Sequence, residues 1–169
     1  MNFDEYQKKV REFADYPAGI VNGNEVKLLY PVLGLSEEVG EFFEKEEYLT
    51  NTKDIDGIVK ELGDICWFCA EILSVLDITA DLSEEREGVV SIDVDSSYIC
   101  GILAKAVRDN DGVIPETKKL EIKKRIERII LWVQAFALTS LSLPLETILQ
   151  GNYNKLLSRK QRGVIHGSG

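Results

Sequence analysis

Apolar residues at helical spacing are the feature that most limits what this chain can fold into. They recur every three or four positions through four segments, so each segment would present one continuous apolar face as a helix. The four segments span residues 28–43, 62–76, 99–106 and 122–137. Helices bury such faces against one another, and the pattern therefore predicts a helical bundle.

Two further helices complete the predicted bundle. One lies near residues 3–15, and the other lies near 144–159 and starts at Pro144, a favourable first-turn residue. A chain of 169 residues is long enough for one sizeable core. We expect an all-α bundle of five or six helices, with a single domain over 1–160 and a Gly-rich basic tail over 161–169.

Turn-forming residues separate the predicted helices. Gly, Pro, Asn, Asp, Ser and Thr cluster at 17–24, 48–54, 81–88 and 108–115. Residues 89–94 alternate between apolar and polar side chains like a short strand, but the chain offers no partner strand for them. We interpret 89–94 as an extended linker into the next helix.

The composition limits the classes of function. A net charge of −9 argues against a general nucleic-acid binder, which needs a basic surface. No segment approaches the ~20 apolar residues that cross a bilayer, and the N-terminal segment is polar, so we expect a cytoplasmic protein without membrane contact. The three cysteines fit a reducing compartment. Cys66 and Cys69 fall on an apolar helix face, which favours core thiols over a redox or metal pair.

Two pairs of acidic residues lie at the margins of the first two apolar stripes. Glu38 and Glu41 form one pair, and Glu61 and Asp64 form the other, each with i, i+3 spacing. The two pairs mirror each other about Asn51, inside the predicted turn. An antiparallel hairpin would therefore bring all four carboxylates to one level between two adjacent helices.

Four convergent carboxylates repel one another unless a cation lies among them. Oxygen ligands suit Mg²⁺, or Mn²⁺ in its place, better than zinc. The one histidine, His166, lies in the tail, which also counts against a di-iron bundle. The alternative interpretation is two solvated acidic faces. Glu37 is expected to point further towards solvent than the paired residues.

The last predicted helix carries cations that could meet a phosphate chain. Residues 152–169 contain Lys155, Arg159, Lys160 and Arg162 and no acidic residue. Lys155 and Arg159 are i, i+4 neighbours on one helix face. The alternative is a favourable basic helix end followed by a disordered tail.

E-E-V-G-E at 37–41, followed by E-L-G-D at 61–64, resembles the E-E-x-x-E … E-x-x-D signature of the MazG-type, all-α nucleoside triphosphate pyrophosphohydrolases. The segment from Asn152 to Gly169 is similar to the C-terminal segment of many members. The resemblance implies that residues 1–160 form a catalytic domain. It implies cleavage of a (d)NTP between the α and β phosphates, giving (d)NMP and pyrophosphate, with Mg²⁺ as cofactor.

The resemblance also implies roles for individual residues. Glu37 and Glu38 are the catalytic candidates, and Glu37 would orient water or support the metal ligands. The implied Mg²⁺ ligands are Glu38, Glu41, Glu61 and Asp64. Contacts to phosphate or ribose are implied for Asn152, Lys155 and Arg159.

Two other hypotheses stay open. One is a phosphoribosyl-ATP pyrophosphohydrolase of histidine synthesis, which shares the helical architecture. The other, from a different class, is a non-catalytic helical protein that senses a nucleotide or binds a partner through the same site. Apolar residues Trp132, Phe136 and Leu138 offer a surface for a homodimer or homotetramer.

Overall fold

A computed structural model describes residues 1–48, 54–83 and 91–164 of the chain. It confirms the all-α bundle, because six α-helices account for most of the described residues. The helices are α1 (Phe3–Val10), α2 (Leu29–Tyr48), α3 (Ile55–Val75), α4 (Ile92–Asp109), α5 (Glu116–Leu141) and α6 (Leu145–Gln161). The only strands in the described ranges are β1 (Gly19–Val21) and β2 (Asn24–Val26).

Helix α3 forms the centre of the bundle. It packs against α1, α2, α5 and α6, and from Glu61 to Leu73 every residue except Asp64 is buried. The helix begins at a side-chain cap, since Asp54 accepts a hydrogen bond of 2.8 Å from the backbone N–H of Gly57. The thiols of Cys66 and Cys69 are fully buried in this helix, as expected for core cysteines.

Helices α2 and α3 are antiparallel. Lys45, late in α2, contacts Glu61, early in α3, whereas Glu38 lies beside Asp64 one turn further along. This register agrees with the mirror symmetry of the acidic pairs. The predicted turn around Asn51 lies outside the described residues.

The segment predicted as a loop at 17–24 contains half of a β-hairpin. Strands β1 and β2 pair antiparallel, with Ile20 opposite Glu25. Asn22 and Gly23 form the turn with φ values of 50° and 83°, the left-handed conformation that Asn-Gly adopts in two-residue hairpins. The prediction of turn or loop is therefore confirmed at Asn22 and Gly23 and wrong for Gly19–Val21 and Asn24, which lie in the strands.

Two other boundaries differ from the prediction. Helix α1 ends at Val10 and continues as a 3₁₀ turn at Arg11–Phe13. Helix α4 begins at Ile92, so the extended linker predicted over 89–94 is wrong for its last three residues, and its first two lie outside the described residues. The tail beyond residue 164, including His166, also lies outside them.

A buried ion cluster fixes the start of α4 to α5. Asp95 is almost fully buried and accepts hydrogen bonds from Arg125 and Arg128, at 2.7 Å from Arg125 Nη1 and 2.9 Å from Arg128 Nε. Both oxygens of this carboxylate therefore accept hydrogen bonds from a guanidinium, which makes its burial tolerable.

The apolar residues proposed for oligomerisation are largely used within the chain. The rings of Trp132 and Phe136 lie 5.3 and 5.1 Å from that of Phe42, whereas Leu138 is 59% exposed. A homodimer or homotetramer stays a prediction. Among the described residues, no single helix is both long and apolar enough to cross a bilayer. Helices α5 and α6 reach that length and composition only as a pair bent by 103°.

Candidate metal centre and adjoining aromatic cavity

Three of the four predicted carboxylates meet between α2 and α3. Glu38 comes from α2, and Glu61 and Asp64 come from successive turns of α3. One oxygen from each lies within 4.8 Å of the others. Glu61 is 1% exposed, so this cluster lies at the edge of the core. This agrees with the position of the acidic pairs at the margin of the apolar stripes.

The environment of the cluster favours a protonated carboxyl group at Glu38. Burial, a hydrogen bond with Glu61 and the nearby charge of Asp64 raise the pKa of Glu38 to about 9. Protonated Glu38 therefore donates its hydrogen bond to Glu61. Burial alone would raise the pKa of Glu61, but the hydrogen bonds from Glu38 and Lys45 outweigh burial and lower it.

Lys45 separates Glu41 from the other three carboxylates. Its ammonium group binds Glu61 and lies 3.9 Å from Glu41 Oε2, while the Glu41 side chain is 48% exposed. The expectation that all four carboxylates converge is therefore corrected to three. The physical reason is the i, i+4 pairing of Glu41 with Lys45, which holds Glu41 at the solvent side.

Glu37 is exposed on α2, on the solvent side that its helical angle predicted. The described contacts give it no position within the carboxylate cluster. Its role in orienting water stays a prediction.

Helix α6 supplies two of the predicted substrate-binding residues, and both contact Asp64. Asn152 donates a hydrogen bond of 2.8 Å to Asp64 Oδ1, and the Lys155 ammonium binds the same oxygen. Tyr6 donates in turn to Asn152 Oδ1 at 2.7 Å. Burial raises the pKa of Tyr6 well above its usual value, which keeps this hydroxyl a donor. Asn152 and Lys155 thus both support the Asp64 carboxylate.

Gly63 explains how α6 reaches the cluster. A Cβ atom at this position would lie 2.9 Å from the Cβ of Asn152, closer than side-chain carbons normally approach. The glycine of the E-L-G-D motif therefore permits the close approach that places Asn152 beside Asp64.

A cavity of about 130 Å³ opens beside the carboxylates. Glu38 and Asp64 form part of its wall, and Arg159, the third predicted substrate-binding residue, forms another part. Most of the remaining wall is aromatic, with Phe13, Tyr16, Tyr30, Trp67 and Phe68.

The aromatic rings form a connected wall. Tyr16 and Tyr30 stack with centroids 4.5 Å apart, and Tyr30 lies 5.9 Å from Phe68, which meets Trp67 edge-on at 4.8 Å. Buried Glu71 accepts a hydrogen bond from the Tyr16 hydroxyl and so holds the first ring in place.

The aromatic wall was not predicted from the sequence, although helical spacing could have placed two of its rings. Tyr30 lies two helical turns before Glu38 on α2, and Phe68 lies one turn after Asp64 on α3, so helical spacing places both rings beside the carboxylates. Tyr16 lies outside the helices, before the β-hairpin, so helical spacing does not predict its position.

No model of a known protein family matches the chain, and no solved structure matches it. The Gene 37 protein of Mycobacterium phage L5 is 37% identical to the chain over 75 residues. The match covers 44% of this chain and 65% of the phage protein, so the chain spans just under two thirds of that relative's length. The relative's name states no activity and adds no constraint on the chemistry.

The donor set of the cluster fits a hard divalent cation. Its three ligand groups are carboxylates, which Mg²⁺ and Mn²⁺ prefer, and their oxygens already lie within 4.8 Å of one another. Few protein ligands leave coordination positions for water and phosphate oxygens. The three carboxylates are therefore suited in type and spacing to a hard divalent cation that keeps positions open for further oxygen ligands.

Proposed function

We propose that the chain is a Mg²⁺-dependent nucleoside triphosphate pyrophosphohydrolase of the MazG-like kind, converting (d)NTP to (d)NMP and pyrophosphate. The observation that carries this proposal is the meeting of three carboxylates with two cations of α6 beside one aromatic cavity. A nucleoside triphosphate has the matching parts, since it combines a metal-chelating phosphate chain with a planar base.

Glu38, Glu61 and Asp64 would hold the metal. When bound, Mg²⁺ supplies electrostatic polarisation of the phosphate oxygens. Asn152 and Lys155 orient Asp64 by direct hydrogen bonds, and they stand where phosphate oxygens near Asp64 would meet them. Phosphoryl transfer needs positioning and charge stabilisation more than covalent chemistry, and these residues supply both.

Arg159 has a different place from Lys155. It lines the cavity one helical turn further along α6, without touching the carboxylates in the described contacts. A guanidinium there is suited to bind the phosphates furthest from the metal, where negative charge develops on the leaving pyrophosphate. Glu41, which was predicted as a fourth Mg²⁺ ligand, lies beside Lys45 and outside the cluster of three carboxylates.

The test is to incubate the purified chain with a panel of NTPs, dNTPs and phosphoribosyl-ATP plus Mg²⁺, and to identify the products. Nucleoside monophosphate with pyrophosphate is expected. Nucleoside diphosphate with orthophosphate would refute the proposal. Turnover of phosphoribosyl-ATP alone would indicate the histidine-synthesis enzyme, and metal-dependent nucleotide binding without turnover would indicate a sensor.

An Asp64→Asn variant shows whether any turnover comes from this site or from a contaminating enzyme. The amide keeps the size of the side chain and removes a metal ligand, so turnover should fall by at least ~100-fold. Glu44→Gln, an exposed change on the same α2 helix as Glu38, is the matched control and should keep wild-type turnover. Equal activity of both variants would sink the site assignment.

A further inference from the structure

A chain of hydrogen bonds leads from α1 to the carboxylate cluster. The Tyr6 hydroxyl donates to Asn152 Oδ1 at 2.7 Å, and Asn152 Nδ2 donates to Asp64 Oδ1 at 2.8 Å. The three residues come from α1, α6 and α3, which pack against one another. Tyr6 therefore reaches the candidate metal centre through one intermediate side chain, the Asn152 amide.

The two ends of this chain set the orientation of the Asn152 amide. A carboxylate accepts hydrogen bonds, so the amide must turn its NH₂ group towards Asp64. The amide oxygen then faces Tyr6, and the tyrosine hydroxyl must donate. If the amide turned over, its oxygen would lie against the Asp64 carboxylate, and two acceptors would face each other. The Tyr6 hydroxyl thus favours the one orientation that supports Asp64.

Burial makes the orientation of Asn152 depend on Tyr6. Tyr6 is fully buried, and Asn152 is 5% exposed, so water has little access to this hydrogen bond. Without the Tyr6 hydroxyl, Asn152 Oδ1 would be a buried acceptor without its donor. The amide would also lose the contact that opposes its rotation away from Asp64.

The same chain affects which oxygen of Asp64 is left for a metal. Asn152 and Lys155 both donate to Oδ1, whereas Oδ2 accepts no hydrogen bond from the described residues. Oδ2 is therefore the oxygen available to a cation held with Glu38 and Glu61. Loss of a side chain that orients a metal ligand in this way typically weakens metal binding by about 10- to 100-fold.

We propose that Tyr6 is a positioning residue of the candidate metal centre, and that it raises the affinity for Mg²⁺ by keeping the NH₂ group of Asn152 on Asp64. The inference rests on the proposed function, because it takes the three carboxylates as the metal ligands. It adds α1 to a site otherwise built from α2, α3 and α6, so the packing of α1 would affect metal binding.

The direct test is a calorimetric titration of the whole chain with Mg²⁺ alone. Tyr6→Phe keeps the ring and removes the hydroxyl, so the Kd for Mg²⁺ should rise by about 3- to 10-fold, less than for a residue that touches the ligand itself. Val10→Ala, at a fully packed position of the same helix, is the matched control. It should lower the Tm in EDTA and leave the Kd at the wild-type value. An unchanged Kd in Tyr6→Phe, or an equal rise in Val10→Ala, would overturn the inference.

A double-mutant cycle tests whether Tyr6 acts through Asn152. Asn152→Ala should raise the Kd for Mg²⁺ by itself, and adding Tyr6→Phe should then change the Kd by no more than ~2-fold. The full effect of Tyr6→Phe in both backgrounds would refute the route through the amide.

These titrations contain no nucleotide, so their outcome is independent of turnover. The expected Kd pattern without nucleotide turnover would remove the proposed function and keep this inference. Turnover with an unchanged Kd in Tyr6→Phe would do the reverse. A wild-type chain that binds no Mg²⁺ would refute the inference outright.

Discussion

Replacing Glu38 by Gln should stabilise the metal-free protein and at the same time remove its response to Mg²⁺. The two effects have one cause. Without metal, Glu38 must keep a proton to remain beside Glu61 and Asp64. Gln has the shape of the protonated carboxyl and donates a hydrogen bond without taking up a proton, but it is a poor ligand for a hard cation.

The direction of the pH dependence of stability follows from the pKa of Glu38, which is 4.5 ordinarily and about 9 in the folded protein. Above pH 4.5 the unfolded chain gives up this proton while the folded chain keeps it, so the contribution of Glu38 to stability falls as pH rises towards 9. The advantage of Glu38→Gln should thus be near zero close to pH 4.5 and grow with pH. Glu38 is partly exposed, and solvent screening limits the gain near pH 8 to about 1 to 2 kcal/mol.

Thermal unfolding followed by circular dichroism measures both effects. For a chain of this size the gain corresponds to a rise in Tm of about 2 to 8 °C near pH 8 in EDTA. Mg²⁺ at about 100 times its Kd should stabilise the wild type by about 2.7 kcal/mol and the variant far less. Glu37→Gln, the exposed neighbour, should change neither value. A lower Tm of Glu38→Gln in EDTA near pH 8, or an equal Mg²⁺ response in both proteins, would refute the reasoning.

Three further changes, the first with a matched control, test the packing of the fold and its buried charge pairs. Gly63→Ala should cost about 1 to 3 kcal/mol in urea unfolding, because the new Cβ would lie 2.9 Å from the Cβ of Asn152. Gly40→Ala, on an exposed helix position with open space around it, should instead gain about 1 kcal/mol, and destabilisation there would contradict the packing argument. Asp95→Ala should lower the free energy of unfolding by about 3 to 5 kcal/mol, because it leaves two arginines without their carboxylate. An unchanged free energy of unfolding would show that these ion pairs are solvated. Lys45→Met should lower the Tm in EDTA by leaving a buried carboxylate without its cation, and Mg²⁺ should restore it.

The helical layout and the core of the candidate site could be predicted from the sequence because both depend on fixed helical angles. Glu61 and Asp64 share a helix face whatever the rest of the chain does, and the apolar stripe beside them determines which way that face points. The antiparallel register then places Glu38 opposite Asp64. These steps need only local geometry and one short connection.

The position of Glu41 and the aromatic wall could not be predicted, because they depend on which of several possible partners a side chain contacts. Glu41 has the right helical angle, but Lys45 pairs with it and reaches Glu61 as well, and no periodicity predicts which carboxylate a flexible lysine takes. Tyr16 reaches the cavity from an irregular segment through its bond to Glu71. Such long-range choices become visible only when the helices are placed together.

The charges of the metal-free cluster explain why the fold tolerates three carboxylates at the edge of its core. Glu38 is neutral because it keeps a proton, and the charges of Glu61 and Asp64 are each matched by a lysine, Lys45 and Lys155. The cluster is therefore neutral without a cation, and its burial carries no net charge. Binding of a divalent cation by all three carboxylates requires Glu38 to lose its proton and leaves a net charge of −1, which Lys45 alone can balance. The lysine of α6 is then available to the phosphates, so one rearrangement of charge would link metal binding to substrate binding.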